Sequence, residues 1–316
     1  MVERGSELPA KLRLGIIGVG DGRELEAALS AERIEIAGFW GEDLALMSEL
    51  AAHYGLLAVA SWRHLLTADA LYVGGQLSDP ATVLKVLAAG RQHLLLAPDL
   101  LACPGAFEWL QPLMAGERSA AVARVAQVDD GLGYCRQLTR AGQLGELLGL
   151  SIRLVEANVV NAWTALADQL GTALWVAGLE LLSARWVWTQ ADEALHLSVL
   201  TDTVQGVPVT VQLLAGVPGG AHDDLLASRL LGSRGQLILM REPLGWFTAA
   251  TESNTARRWE KLVYAGEPGS LQRTMDALAA SLRDARTTIA LPEGELKLAA
   301  LLTAMQNTNK GGWRAD

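Results

Sequence analysis

The chain has 316 residues, half of them hydrophobic, and carries 35 acidic against 26 basic side chains for a net charge of −9. That length suits two domains, and the acidic balance repels a phosphate backbone, so nucleic acid is not an expected partner. No apolar run reaches the roughly 20 residues that span a bilayer, since Ala120–Val128 is interrupted by Arg124. A membrane is therefore not expected either. The opening MVERGSELPAK has mixed charge and no apolar segment, and Cys103 and Cys135 form neither a CxxC pair nor a cluster with histidines. These features predict a reduced, cytoplasmic protein without a metal site.

In chain order, LRLGIIGVGDGR (Leu12–Arg23) is an apolar run ending in glycines, the pattern of a first strand and turn in a nucleotide-binding α/β domain. Glu24–Leu29 reads as helix, Ile34–Phe39 as strand, Leu44–Tyr54 as helix and Leu56–Val59 as a short apolar piece. Ala70–Val73 and His93–Leu96 read as strands flanking a helix at Pro80–Ala89, where Pro80 suits the first turn. Such alternation predicts a doubly wound parallel sheet. Loops at its carboxyl ends then converge on one crevice: Gly18–Gly22 (with Val19, Gly20 and Asp21), Gly41, Gly74, Gly75 and Gln76, and Ala97 with Pro98 and Asp99. A GxGxxG turn would need glycine where Arg23 stands, and the nearest is Gly22. Glycines after strands are also often no more than tight turns.

The stretch Ala68–Leu100 resembles the Gfo/Idh/MocA family, named after glucose–fructose oxidoreductase and inositol dehydrogenase. Gly75-Gln76 stands at the family's T-P, Ala89-Gly90-Arg91 at its A-G-K, and Leu96-Ala97-Pro98 at its E-K-P. Gly133–Leu154 is similar to its bridging helix and G-x-L-G-E turn, Leu230–Leu239 to its GxxGxL hairpin, and Glu295–Asn307 to its closing helix. The resemblance implies a Rossmann domain, set here at residues 11–125. It implies a second α/β domain over 126–316, whose large, open, mostly antiparallel sheet often mediates dimer or tetramer contacts. It further implies NAD or NADP, oxidation or reduction of a sugar or polyol, and a small-molecule ligand in an interdomain crevice.

The chain departs from that family at the positions of its chemistry. Hydride transfer from a carbinol needs a proton acceptor and donors for the developing oxyanion. The family supplies a lysine in E-K-P and an aspartate and histidine one helical turn apart in D-x-G-x-H. Alignment on the proline puts Ala97 at the lysine, and alignment on Gly178 puts Val176 at the aspartate and Glu180 at the histidine. Glu180, among Leu179, Leu181 and Leu182, is either a desolvated general base or a solvated carboxylate paired with a residue such as Arg185. Asp99 either faces the crevice or caps the following turn. Glu42 and Asp43, beyond Gly41, either grip a ribose or are turn residues; with no arginine after them, NAD is expected over NADP. His53, His64, His93, His196 and His222 form no cluster.

From Ser151 the pattern turns to strands at Ile152–Val155, Leu195–Leu200, Val207–Leu214 and Gln236–Met240, after a helix expected over Thr172–Trp188. Six of the ten tryptophans lie between Trp163 and Trp259, as core, oligomer interface or ligand wall. Gly216–Asp224 is turn-rich, and Leu244–Arg258 reads as an excursion between strands. Two functions are left open: an oxidoreductase of this type that binds a nicotinamide dinucleotide with altered or lost chemistry, or a non-catalytic homologue, binding none, that senses a ligand or assembles with a partner. A third, another kind of enzyme, rests on Glu180 and Asp99.

Overall fold

The computed structural model describes residues 11–114, 120–124, 130–156, 159–191, 194–216, 226–241, 247–253, 259–264, 270–283 and 293–314. The chain divides into two compact units that interleave in sequence: Met1–Ala97, Pro112–Ala123 and Leu271–Leu291 in the first, the remainder in the second.

The first unit is built on β1 (Leu12–Ile17), whose apolar residues are buried as an interior parallel strand requires. It continues through α1 (Arg23–Ser30), β2 (Ile34–Trp40), α2 (Leu44–Tyr54), β3 (Ala70–Val73), α3 (Pro80–Ala89), β4 (His93–Leu96) and β5 (Ala120–Val122). The five strands are parallel in the order β2-β1-β3-β4-β5, the expected doubly wound sheet. Leu56–Val59 contributes a rudimentary edge strand beside β2, reduced to one parallel bridge between Phe39 and Ala58. The Asp43 carboxylate accepts from the Ala45 and Leu46 amides to cap α2, and Asp79 caps α3 ahead of Pro80.

A helix distant in sequence completes this unit. In α7 (Ser270–Arg283), Met275, Leu278 and Ala279 join the core of Leu14, Leu25, Ala28 and Ile34. The Asp276 carboxylate accepts from the amides of Glu32 (3.3 Å) and Arg33 (2.9 Å), and Gln272 Nε2 donates to the Ser30 carbonyl (2.6 Å). A single cut between residues 125 and 126 therefore does not describe the division: α7 returns to the first unit, and Pro98–Gln111 belongs to the second.

The helix α4 (Ala106–Met114) passes from the second unit to the first at Pro112, and the second unit further contains α5 (Asp130–Arg140), β6 (Leu147–Glu156), α6 (Val159–Ala177), β7 (Leu181–Ala191), β8 (Ala194–Thr203) and β9 (Val209–Ala215). β10 (Leu226–Gly232), β11 (Gly235–Arg241), β12 (Phe247–Ser253), β13 (Trp259–Tyr264), α8 (Glu293–Asn307) and β14 (Lys310–Arg314) follow. Its nine strands run β13-β12-β11-β10-β6-β9-β8-β7-β14, antiparallel except for the β6–β9 pair. Strict alternation along β8 and β9 buries Leu195, Leu197, Val199, Val209, Val211 and Leu213 on one face and leaves the other open.

Two expectations are corrected here. The helix expected over Thr172–Trp188 is the end of α6 followed by β7, because Gly178 takes φ +67° and stops the helix at Ala177. Leu244–Arg258 includes the strand β12. Beyond Gly216, the turn-rich Gly216–Asp224 and His222 lie outside the described residues.

The relocated tryptophans have a structural task. Trp186 Nε1 donates to the Thr308 carbonyl (3.0 Å), and Trp188 Nε1 reaches the carbonyls of Met305 (2.8 Å) and Thr308 (2.9 Å). Both indoles thus satisfy carbonyls at and just past the carboxyl end of α8, where the last carbonyls lack helical partners, and tie it to β7. Trp188→Phe keeps an aromatic ring but removes that donor, so urea unfolding should show a loss of about 1–3 kcal/mol.

Candidate functional site

The glycine loop after β1 is held by its neighbours. The Gly18 and Val19 amides donate to the Trp40 carbonyl (2.9 and 3.2 Å). Gly18 takes φ +76°, and a side chain there would meet the Gly74 carbonyl; one at Gly74 would overlap the Gly18 carbonyl. These two glycines let the loops after β1 and β3 approach each other. Gly20 lies under the Gln76 side chain, Gly41 against Met47, and Gly22, at φ +91°, precedes α1 as its N-cap. The structure thus brings Gly18, Val19, Gly20, Gly41, Gly74 and Gln76 together at the carboxyl ends of β1, β2 and β3. Ala97 follows β4, its amide bonded to the Val73 carbonyl (2.8 Å), with Gly75 in the loop after β3.

A dinucleotide needs donors for its pyrophosphate at the start of α1 and an acceptor for its ribose beyond β2. At the first position the protein's own Asp21 carboxylate accepts the Arg23 amide (3.2 Å) and pairs with the Arg23 guanidinium (2.7 Å). Glu24 and Glu26 add two further carboxylates in the same turn. Glu26 accepts from the Tyr54 hydroxyl (2.8 Å), which holds that phenol above its ordinary range. At the second position Glu42 accepts from both the amide and hydroxyl of Ser78 (2.8 Å each), tying the end of β2 to the loop after β3 across the end of β1. Asp43 is the cap of α2. The residues present do not fit a dinucleotide: carboxylates stand where phosphate would bind, and the ribose acceptor is engaged.

Within the second unit, a 3₁₀ helix at Pro98–Ala102 carries Asp99. Its carboxyl is pushed up from the usual range chiefly by burial, with the Asp168 charge adding to the effect and the Asp99 and Leu100 amides opposing it. Asp168 is the one ionisable side chain on α6. It lies 3.7 Å from Arg124, which is 1% exposed and makes a bidentate pair with Glu295 at the start of α8. Arg124 also donates to the Ala167 and Asp168 carbonyls (3.4 Å each). A side chain at Gly171 would overlap this guanidinium, so the glycine makes room for it. Burial beside Asp168 thus favours the protonated form of Asp99 more than in an exposed carboxyl.

Glu180 is not part of this group. With α6 ended at Ala177, the one-turn spacing that would place it beside Val176 is lost. Its side chain is 58% exposed, and Lys297 (3.9 Å), not Arg185, is the cation beside it. Of the two readings of Glu180, the structure shows the solvated carboxylate. Asp99 is half-buried, and its own and the next amide bond its carboxyl, in keeping with a turn-capping role. Arg124, Asp168 and Glu295 were missed as site residues. The only signal for Arg124 in the sequence is a charge inside the apolar run Ala120–Val128.

Arg124→Met leaves Glu295 buried without a counter-charge, and urea unfolding should show a loss of about 3–5 kcal/mol. Arg124→Met with Glu295→Leu removes both charges and should recover most of it. The folded Asp99 carboxyl holds its proton more tightly than the unfolded one, so its contribution to stability falls as pH rises above the ordinary carboxylate range. Asp99→Asn should therefore raise Tm at neutral pH, and thermal melts at acid pH should show the gain vanish.

No family model matches the sequence, and no curated protein matches it. Solved structures do match. An inositol dehydrogenase homologue from Azotobacter vinelandii, complexed with NADH and myo-inositol, is 12% identical, with 98% of each chain covered and a TM-score of 0.76. Aldose-aldose oxidoreductase from Caulobacter crescentus is 13% identical over 96% of this chain and 100% of that one, with a TM-score of 0.75. The transcriptional regulator Gal80p from Kluyveromyces lactis is 12% identical over 95% and 92%, with a TM-score of 0.73. The chain therefore has the two-unit fold of the Gfo/Idh/MocA-type oxidoreductases, as a divergent example of it.

Proposed function

We propose that this chain is a non-catalytic protein on an oxidoreductase fold, acting by binding or assembly with a partner and not by hydride transfer. The observation that carries this reading is the Asp21 carboxylate seated on the first amide of α1, which puts the protein's own anion at the pyrophosphate position. Ala97 at the family's lysine position supports it, since an alanine cannot take or give a proton. Precedent for regulation on this fold comes from the transcriptional regulator Gal80p. NADH in the inositol dehydrogenase homologue is that protein's ligand. Here Asp21 and the Glu42–Ser78 link occupy the corresponding loop ends.

Titration with NADH and with NADPH, followed by energy transfer from the tryptophans, tests the reading. A flat response to both up to millimolar concentrations is expected. Saturable binding of either would overturn it and restore the dinucleotide-binding oxidoreductase.

A further inference from the structure

Two guanidiniums lie one helical turn apart along α6, and only one of them is answered in charge. Arg124 passes over Gly171 and is met by Glu295 and Asp168. Arg136, on α5, sets its Cζ 4.3 Å from the centroid of the Trp175 ring. The half-buried indole offers that guanidinium its ring face but no hydrogen-bond acceptor. Arg136 Nε is shut off from water with no acceptor, and Arg136 makes no ion pair, among the described residues. A buried donor in that state costs free energy that a supplied acceptor recovers. For Arg124 burial is outweighed by Glu295 and Asp168, which hold it above the ordinary range of an arginine, whereas burial and then the Arg140 charge hold Arg136 below it.

Further positive charge gathers at the same end of α5. Arg140 stands one turn on along the same helix face, where like charges oppose each other. It is exposed and makes no ion pair with a described residue. Just past the helix, Arg234 Nη2 donates to the Gly142 carbonyl (2.5 Å), which brings a third guanidinium to the turn. The carboxylates on the neighbouring helices are placed elsewhere. Asp168 lies about 10 Å before Trp175 on α6, beside Arg124, and Glu180 lies beside Lys297. Asp130 begins α5 on another face of the helix, and Glu146, beyond the turn, pairs with none of the three arginines among the described ion pairs. α5 also packs against β12 and β13, which carry Glu252 and Glu260. Register puts Glu252 in the row of Gln236 on the open face, and Glu260 in the row of Thr251 and buried Leu237, on the face that carries the helices. Glu260 is therefore the rival acceptor from this sheet.

We infer that Arg136 and Arg140, with Trp175 as the wall behind Arg136, bind a small oxyanion, the carboxylate or phosphate of a metabolite. A guanidinium presents parallel N–H donors that match either group in a bidentate bond, and an anion between two cations one turn apart relieves their repulsion. The indole beside them suits the carbon body of an organic acid. A nucleic-acid backbone needs a longer basic track than these residues supply in a chain of net charge −9. The inference goes beyond the binding-protein reading, because it names a site and a ligand class on residues that reading does not use.

The test follows the arginine Nε–Hε magnetic resonance signals of the full chain, labelled with nitrogen-15 arginine, as inorganic phosphate or succinate is added at constant ionic strength. Arg136→Lys identifies the Arg136 signal by its loss. In the unaltered chain that signal should shift saturably with phosphate, succinate or both, and the tighter probe tells a phosphate ligand from a carboxylate one. Arg63, whose guanidinium also lies over an indole, that of Trp62 at 5.5 Å, is the internal control and should not move. Arg140→Gln, a change at an exposed position, should weaken the binding read at Arg136 by about tenfold. Arg136→Lys keeps the charge but loses the planar fork, and should weaken the binding read at Arg140 to a similar degree. Circular dichroism of each variant checks that it folds. No saturable shift at Arg136, an equal shift at Arg63, or unchanged affinity in Arg140→Gln would each overturn the inference. So would binding that appears only in Glu260→Gln, because Glu260 would then already hold the site. Neither probe contains a nucleotide, so this outcome and that of the NADH titration are distinguishable.

Discussion

An arginine sealed from solvent has to be answered in charge and in hydrogen bonds, and Arg124 imposes that demand on the second unit. Its guanidinium takes both oxygens of Glu295, two carbonyls of α6 and the neighbourhood of Asp168. The chain leaving β5, the middle of α6 and the start of α8 are therefore held to one point, although the paired residues are 171 positions apart. Gly171 belongs to the same constraint, since only a missing side chain lets the helix pass so close to the guanidinium. Such a pair adds little net stability over a well-packed apolar alternative, but it makes one arrangement of three elements far better than any other.

The first unit shows the opposite economy of charge. Its carboxylates are spent on the architecture itself: Asp43 and Asp79 cap helices, Asp276 fastens α7 to the turn before β2, Glu42 joins two loops and Asp21 closes the start of α1. In a dinucleotide-binding domain the last two positions serve the ligand. Here Asp21 accepts the first amide of α1 and Glu42 accepts from Ser78, so both carboxylates are engaged within the protein.

Much of the fold was legible in the sequence, and the reason is periodicity. Apolar runs of four to six residues alternating with helical spacing leave few arrangements other than a parallel sheet, and β1 to β4 lie where that pattern placed them. The site was far less legible. Gly178 could be read as the middle of a catalytic turn or as the end of a helix, and only its positive φ separates the two. That one ambiguity displaced Trp186, Trp188 and Glu180 from strand and strand edge into a helix. Asp168 and Glu295 offered no signal, because each looks like any polar residue on an amphipathic helix until the helix is packed.

By itself the sequence determined the two-unit α/β architecture, the acidic balance and the absence of a lysine before Pro98, because these depend on local pattern and composition. The tertiary structure alone decided that α7 returns to the first unit, that Asp21 and Glu42 are engaged, and that Arg124 meets Glu295. Each of these depends on groups far apart in the chain being brought within a few ångströms. No local pattern encodes which distant partner will arrive.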